Sequence, residues 1–202
     1  MPTFVVKDEK VDEMMKKARN HKALVLDLRG NHGGLADLLT RLVGYFFDRD
    51  VKLGDVKRRK ETKPEKAGSR GPGRVFKGPL VVLIDSESAS ASEIFARVIQ
   101  IEKRGTVLGD RSAGAVMESQ FHPHLGAGYR PFFFGASITV ADLMMSDGRS
   151  LERVGVVPDE RMLPSAADLA GRRDPVLSRA AEILGGKLDP EKAGTLFPIR
   201  VE

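Results

Sequence analysis

The chain has 202 residues and 41% hydrophobic content, enough for one domain with a substantial core and too apolar for disorder. It contains no cysteine, which excludes disulfides and thiolate metal sites, and no apolar stretch long enough to span a membrane; the start, MPTFVVKDEK, lacks the form of a signal peptide. The formal charge of +5 is local: residues 52–77 hold ten Lys or Arg against three Asp or Glu, and the rest of the chain sums to −2. With Phe76 its sole aromatic, this Gly/Pro-interrupted segment reads as a solvated loop or edge hairpin, so neither nucleic acid nor stable membrane insertion is expected.

In chain order, Val11, Met14, Met15 and Ala18 share one face of a short helix that Asn20 and His21 end, with His21 expected to cap its carbonyls. Ala23–Leu28 reads as a buried strand. The glycine-rich RGNHGG follows, then a helix over Leu35–Phe47 with apolar positions at helical spacing. Beyond the basic segment come a strand at Leu80–Ile84, a helix from about Ala89 to Lys103 and a short strand at Thr106–Leu108. This alternation predicts a mainly parallel sheet with crossover helices. In the second half, Phe121–Val140 carries strand signals broken by Gly126, Gly128 and Gly135, and Asp147-Gly148 marks a turn. Asp174-Pro175 has the form of a helix start, continued by Val176–Leu184, and Pro190 and Pro198 suggest a loose tail. There is no internal repeat, and residues 1–202 read as one domain.

Two segments carry candidate chemistry. In DSESASASEIFARVIQ, Ser90 falls where a buried strand gives way to a helix N-terminus, whose unpaired N–H groups and positive dipole end can support a nucleophile. Ser88, Ser90 or Ser92 can equally serve as a helix cap. In LDLRGNHGG, the glycines permit close backbone approach; no phosphate-binding GxGxxG or GxxxxGK[ST] pattern is present, which leaves an oxyanion hole or a purely structural turn. His32 lies inside that turn, where a solvent-facing role competes with one in the site. His122 and His124 share one face of a strand at a spacing that can bind metal, but no third ligand is evident, so neither metal nor cofactor is expected.

Taken in order, LDLRGNHGG, SESASASEIFARVIQ and LERVGVVPD resemble the tail-specific (C-terminal processing) protease family and its tricorn-core relatives, over about Ala23 to Leu184. The resemblance implies an α/β fold, a crotonase/ClpP-like core of repeated ββα units, in a serine endopeptidase acting on protein or peptide substrates. It implies Ser90 as nucleophile, the Ala91 N–H as one oxyanion donor and Gly33 or Gly34 as the other; Asp27 and Arg29 match family positions too, but as a charged pair beside a tight turn they read as structural. It also implies a longer parent chain with a PDZ module upstream and an extracytoplasmic location, and leaves a homo-oligomer open.

The match departs at one position. The processing proteases use a Ser–Lys dyad, and the lysine position, in the stretch GDRSAGAVM, is Ala115; no lysine occurs between Lys103 and Lys187. A methyl group accepts no proton. The tricorn-like branch resembles a Ser–His arrangement with a late glutamate, which Glu152 matches; an exposed turn residue is the competing reading. The histidine would then come from upstream of this chain. Two other functions compete: a non-catalytic module binding peptides or hydrophobic ligands on the same fold, suggested by Ala115, and an acyl-CoA enzyme, suggested by fold resemblance alone.

Overall fold

The computed structural model describes residues 1–126 and 132–196; Gly128 and Pro198 lie outside the described residues. Two four-stranded sheets organise the chain. The first is parallel, in the order β1 (Leu24–Asp27), β4 (Leu80–Ile84), β5 (Thr106–Gly109), β8 (Glu160–Arg161). The second is antiparallel, in the order β3 (Thr62–Ala67), β2 (Val51–Arg58), β7 (Phe132–Met145), β6 (Glu118–Gly126).

Every residue of β4 is buried, because helices cover both faces of the parallel sheet. Leu80, Val82 and Ile84 face a core shared with α1 (Asp8–Ala18), α2 (Ala36–Val43) and α3 (Ala91–Ile101). Val81 and Leu83, one register step away, join Leu108 against Val176, Leu177 and Ala180 of α5 (Pro175–Ile183). Each such side chain removed from water contributes about 1.5–3 kcal/mol, so the strand before Ser90 is held from both sides. The small helix α4 (Ala166–Ala170) precedes α5, and α6 (Pro190–Leu196) packs against α5 through the buried Ala193.

Two details differ from the sequence expectation, and a third, the basic segment, takes the edge hairpin of the two forms expected. Regular α2 ends at Val43, because the next N–H groups make tighter bonds, Tyr45 to Leu42 and Phe46 to Val43; the apolar spacing runs on into a turn. The basic segment is ordered as the hairpin β2–β3, with β3 at a sheet edge. Pro190 opens a helix: the Asp189 carboxylate accepts the Glu191 N–H, and proline fits a first helical turn, where its missing donor costs nothing.

Candidate active site

The turn after β4 is built by carboxylates. Asp85 Oδ1 accepts the N–H groups of Glu87 and Ser88, and both Asp85 oxygens accept the Gly30 N–H at 3.0 Å. One side chain therefore joins the serine turn to the glycine turn. Ser88, fully buried, donates its hydroxyl to the Leu28 carbonyl at 2.8 Å, and Ser92 donates to the Asn31 carbonyl at 2.8 Å. These two serines are consumed by structure. Ser90 is only half buried, at the N-cap of α3, with φ 55° and ψ −118°. A non-glycine residue there stores strain on the order of 1–3 kcal/mol and persists only where its surroundings hold it.

Glu93 does most of that holding. Its side chain is fully buried and accepts four hydrogen bonds: Oε1 from the Ser112 hydroxyl (2.6 Å) and the Gly114 N–H (2.7 Å), Oε2 from the N–H groups of Ala115 and Ser90 (both 2.9 Å). Ser90 and Glu93 form a capping box: the Ser90 N–H bond to Glu93 is well formed, whereas the Ser90 oxygen lies over the Glu93 N–H without meeting the geometry of a hydrogen bond. The serine oxygen is thereby left for other partners. The sequence reading missed Glu93, although the S-x-x-E spacing before an apolar helix was the available signal.

The loop before β6 is fastened to the same point. The Ser90 N–H also donates to the Ala115 carbonyl at 2.9 Å, so position 115 lies against Ser90 with its methyl group exposed. Glu152 Oε2 accepts the N–H groups of Val116 (3.0 Å) and Met117 (3.3 Å). Glu152 is thus a half-buried clamp on the loop that presents position 115, not a free turn residue. The Val156 N–H donates to the Ser112 hydroxyl at 2.6 Å, which ties the VGVVPD segment into the network.

Gly33 packs directly on the serine turn. At φ 90°, a Cβ there would come 2.7 Å from Ser90 Cβ and 2.9 Å from the Ala91 nitrogen, so only glycine fits. The two glycines differ in what their N–H groups do. That of Gly33 donates to Asn31 Oδ1 at 2.8 Å. The Gly33 carbonyl accepts the Phe4 N–H, so the Gly34 N–H, antiparallel to that carbonyl in the same trans peptide, points away from Phe4. Among the described residues, the N–H groups of Gly34 and Ala91 have no hydrogen-bond acceptor.

Arg29 braces the turn from the far side. Its guanidinium bonds Asp27 (2.7 Å) and, through two nitrogens, Asp174 at the start of α5 (2.7 and 3.1 Å). Burial opposes the Arg29 charge, but the bonds to Asp27 and Asp174 outweigh it and raise the pKa. His32 is exposed and makes no side-chain hydrogen bond to the described residues. The His21 N–H closes the turn after α1 onto Ala18. Among the described residues, no group of His, Cys, Asp or Glu is arranged to hold a metal ion, and no helix is long and apolar enough to cross a membrane.

This order of strands and helices is that of a peptidase core: a solved photosystem II D1 C-terminal processing protease superposes on 80% of this chain, and on 41% of its own, with a TM-score of 0.62 at 25% identity. The tricorn protease shares the fold at a TM-score of 0.56 and 18% identity, over 81% of this chain and 15% of its own. The chain belongs to peptidase family S41, whose sequence model matches residues 1–162. A carboxyl-terminal-processing protease of Synechocystis sp. is 29% identical over 166 residues, which are 80% of this chain and 36% of that protein. The chain therefore spans about a third of the length of that curated relative.

Proposed function

We propose that this chain carries the nucleophile and oxyanion hole of a serine endopeptidase, with Ser90 Oγ attacking the carbonyl carbon of a peptide bond. The observation that carries this reading is the strained Ser90 at the N-terminus of α3, with the N–H groups of Ala91 and Gly34, which have no acceptor among the described residues, close by in the fold. As the Oγ–C bond forms, the carbonyl oxygen gains charge, and two backbone donors stabilise it without reorganising. The serine proton passes to a base, the leaving amine takes it up as the C–N bond breaks, and water then hydrolyses the acyl-serine ester. Ala115 cannot act as that base, which falls to a histidine of the parent protein, with Glu152 orienting the segment it approaches. The helices that follow β1 and β4 support the finer reading of the fold as repeated crotonase/ClpP-like ββα units. The same proposal places the parent in an extracytoplasmic compartment and takes extended polypeptide as substrate.

The exposed methyl group of Ala115 favours a second reading, a module that binds peptides without cleaving them. Fluorophosphonate labelling, with the modified residue mapped by mass spectrometry, separates the two. The peptidase reading expects Ser90 to be labelled in the parent protein and Ser90→Ala to abolish both labelling and peptide cleavage. Absence of labelling in a folded parent leaves the binding module.

A further inference from the structure

The antiparallel sheet extends past its own support. β2 pairs with β7 only over Ala141–Met145, whereas β6 and β7 continue together out to Gly126 and Phe132. The free part of β7, Phe132–Val140, makes a two-stranded ribbon about 30 Å long. It carries no charged side chain from Ser119 to Gly126 or from Phe132 to Ala141, in a protein that is 30% charged overall. Its large apolar side chains lie in solvent on both faces. Phe132, Phe134 and Ile138 alternate with Phe133, which stands opposite Leu125, and Phe121 lies on the Phe133 face; Phe133 is 83% exposed and Phe121 63%. A ribbon of this kind is not stable on its own account and marks an interaction surface.

We propose that this ribbon is a docking edge for an extended, apolar-rich segment of polypeptide, the chain that Ser90 would cleave; the proposal rests on the peptidase reading of Ser90. Three observations select this occupant. β6 is an edge strand, so its outer backbone groups are open to one more strand. Side chains of an added strand alternate between the two faces: on one they meet Phe121, Pro123 and Leu125 of β6, and on the other His122 and His124, with Phe134 of β7 stacked behind His124, whereas a second copy stacked on the ribbon would cover one face only. β6 also begins at Glu118, directly after the segment in which Ala115 bonds Ser90 and Val116 and Met117 bond Glu152, so a chain held along β6 is led to the serine. Pro123 offers no N–H, so an added strand loses at most one hydrogen bond at that position of the edge.

The test uses the 202-residue chain carrying Ser90→Ala, so that no turnover is needed, and fluorescence anisotropy of labelled, reduced and carboxymethylated α-lactalbumin as the unfolded probe. Phe121→Ser with Phe133→Ser, both well exposed, weakens probe binding at least tenfold; Phe132→Ser with Phe134→Ser does the same from the other face and serves if the first pair fails to fold. Weakening of less than tenfold in folded variants overturns the proposal. So does light scattering that shows the chain to be a dimer dissociated by these substitutions while probe binding persists, since the ribbon then belongs to a second copy. Loss of probe binding in the ribbon variants, together with no fluorophosphonate labelling of Ser90 in the unmutated parent, removes the peptidase reading and leaves the docking edge standing.

Discussion

Glu93→Gln tests whether one buried carboxylate holds the serine turn. An amide keeps one oxygen and turns an NH2 group towards two of the four donors that Glu93 accepts. If the oxygen keeps Ser112 and Gly114, the amide nitrogen meets the N–H groups of Ala115 and Ser90; the opposite orientation sets it against the Gly114 N–H and forces the Ser112 hydroxyl to turn its proton away. Either way two hydrogen bonds to a carboxylate are lost, at about 1.5–3 kcal/mol each. The Ser90 N–H retains the Ala115 carbonyl, which offsets part of one loss. A net destabilisation of about 3–4 kcal/mol is expected, which for a chain of this size lowers Tm by roughly 6–16 °C. The assay is thermal unfolding followed by circular dichroism, with fluorophosphonate labelling of Ser90 in the parent protein below the transition. Labelling should slow at least tenfold, because misplacing a reacting atom by about 1 Å can cost a hundredfold. A Tm within about 2 °C of the unmutated chain, with unchanged labelling, would refute the reasoning.

Gly33→Ala places a methyl group 2.7 Å from Ser90 Cβ at φ 90°, so it should destabilise by about 2–5 kcal/mol and abolish Ser90 labelling; urea unfolding and mass spectrometry read both, and a wild-type labelling rate would contradict the packing described. Ala115→Lys puts an amine on an exposed position whose carbonyl accepts the Ser90 N–H, so stability should change by no more than about 0.5 kcal/mol. The labelling rate of Ser90 should rise at least tenfold, as a positioned base supplies, and no rise would count against position 115 facing the serine. Away from the site, the Arg41 guanidinium holds the Asp12 carboxyl down from its ordinary 3.8 to about 2. A lowered carboxyl pKa gives stability that is whole above about pH 4 and is lost as pH falls through about 2. Asp12→Asn should therefore flatten the acid limb of stability against pH between those values, by a small amount because the side chain is partly exposed and screened; an unchanged acid limb in urea titrations would remove the pair from the account.

The strand-to-helix placement of Ser90 was legible because two periodicities meet there: a continuous apolar run and then helical spacing, with short polar residues between. The glycine turn was legible for a similar local reason, since glycines at the end of a buried strand signal close approach. The partners across space were not. Asn31 takes the Gly33 N–H, and that bond is what leaves Gly34 as the open donor. Glu152 was matched by position, but its bonds to Val116 and Met117 depend on two loops meeting. At Pro190 the expected loose tail gives way to a helix, because an aspartate before the proline turns it into a helix start. The strand signals over Phe121–Val140 are met by β6 and β7 among the described residues, but they do not reveal that both faces of the ribbon stay in solvent.

The Arg29–Asp174 pair bears on where the protein can be cut. The family match ends at Met162, and a chain trimmed there would keep Ser90, Ala91, Gly34 and Glu152. It would lose α5, and with it the cover over Val81, Leu83 and Leu108, opening one whole side of the parallel sheet to water. Arg29 would be left with Asp27 alone, at the start of the glycine turn. The core beneath the serine turn therefore runs well past the stretch by which the family is recognised, through α5 and into α6.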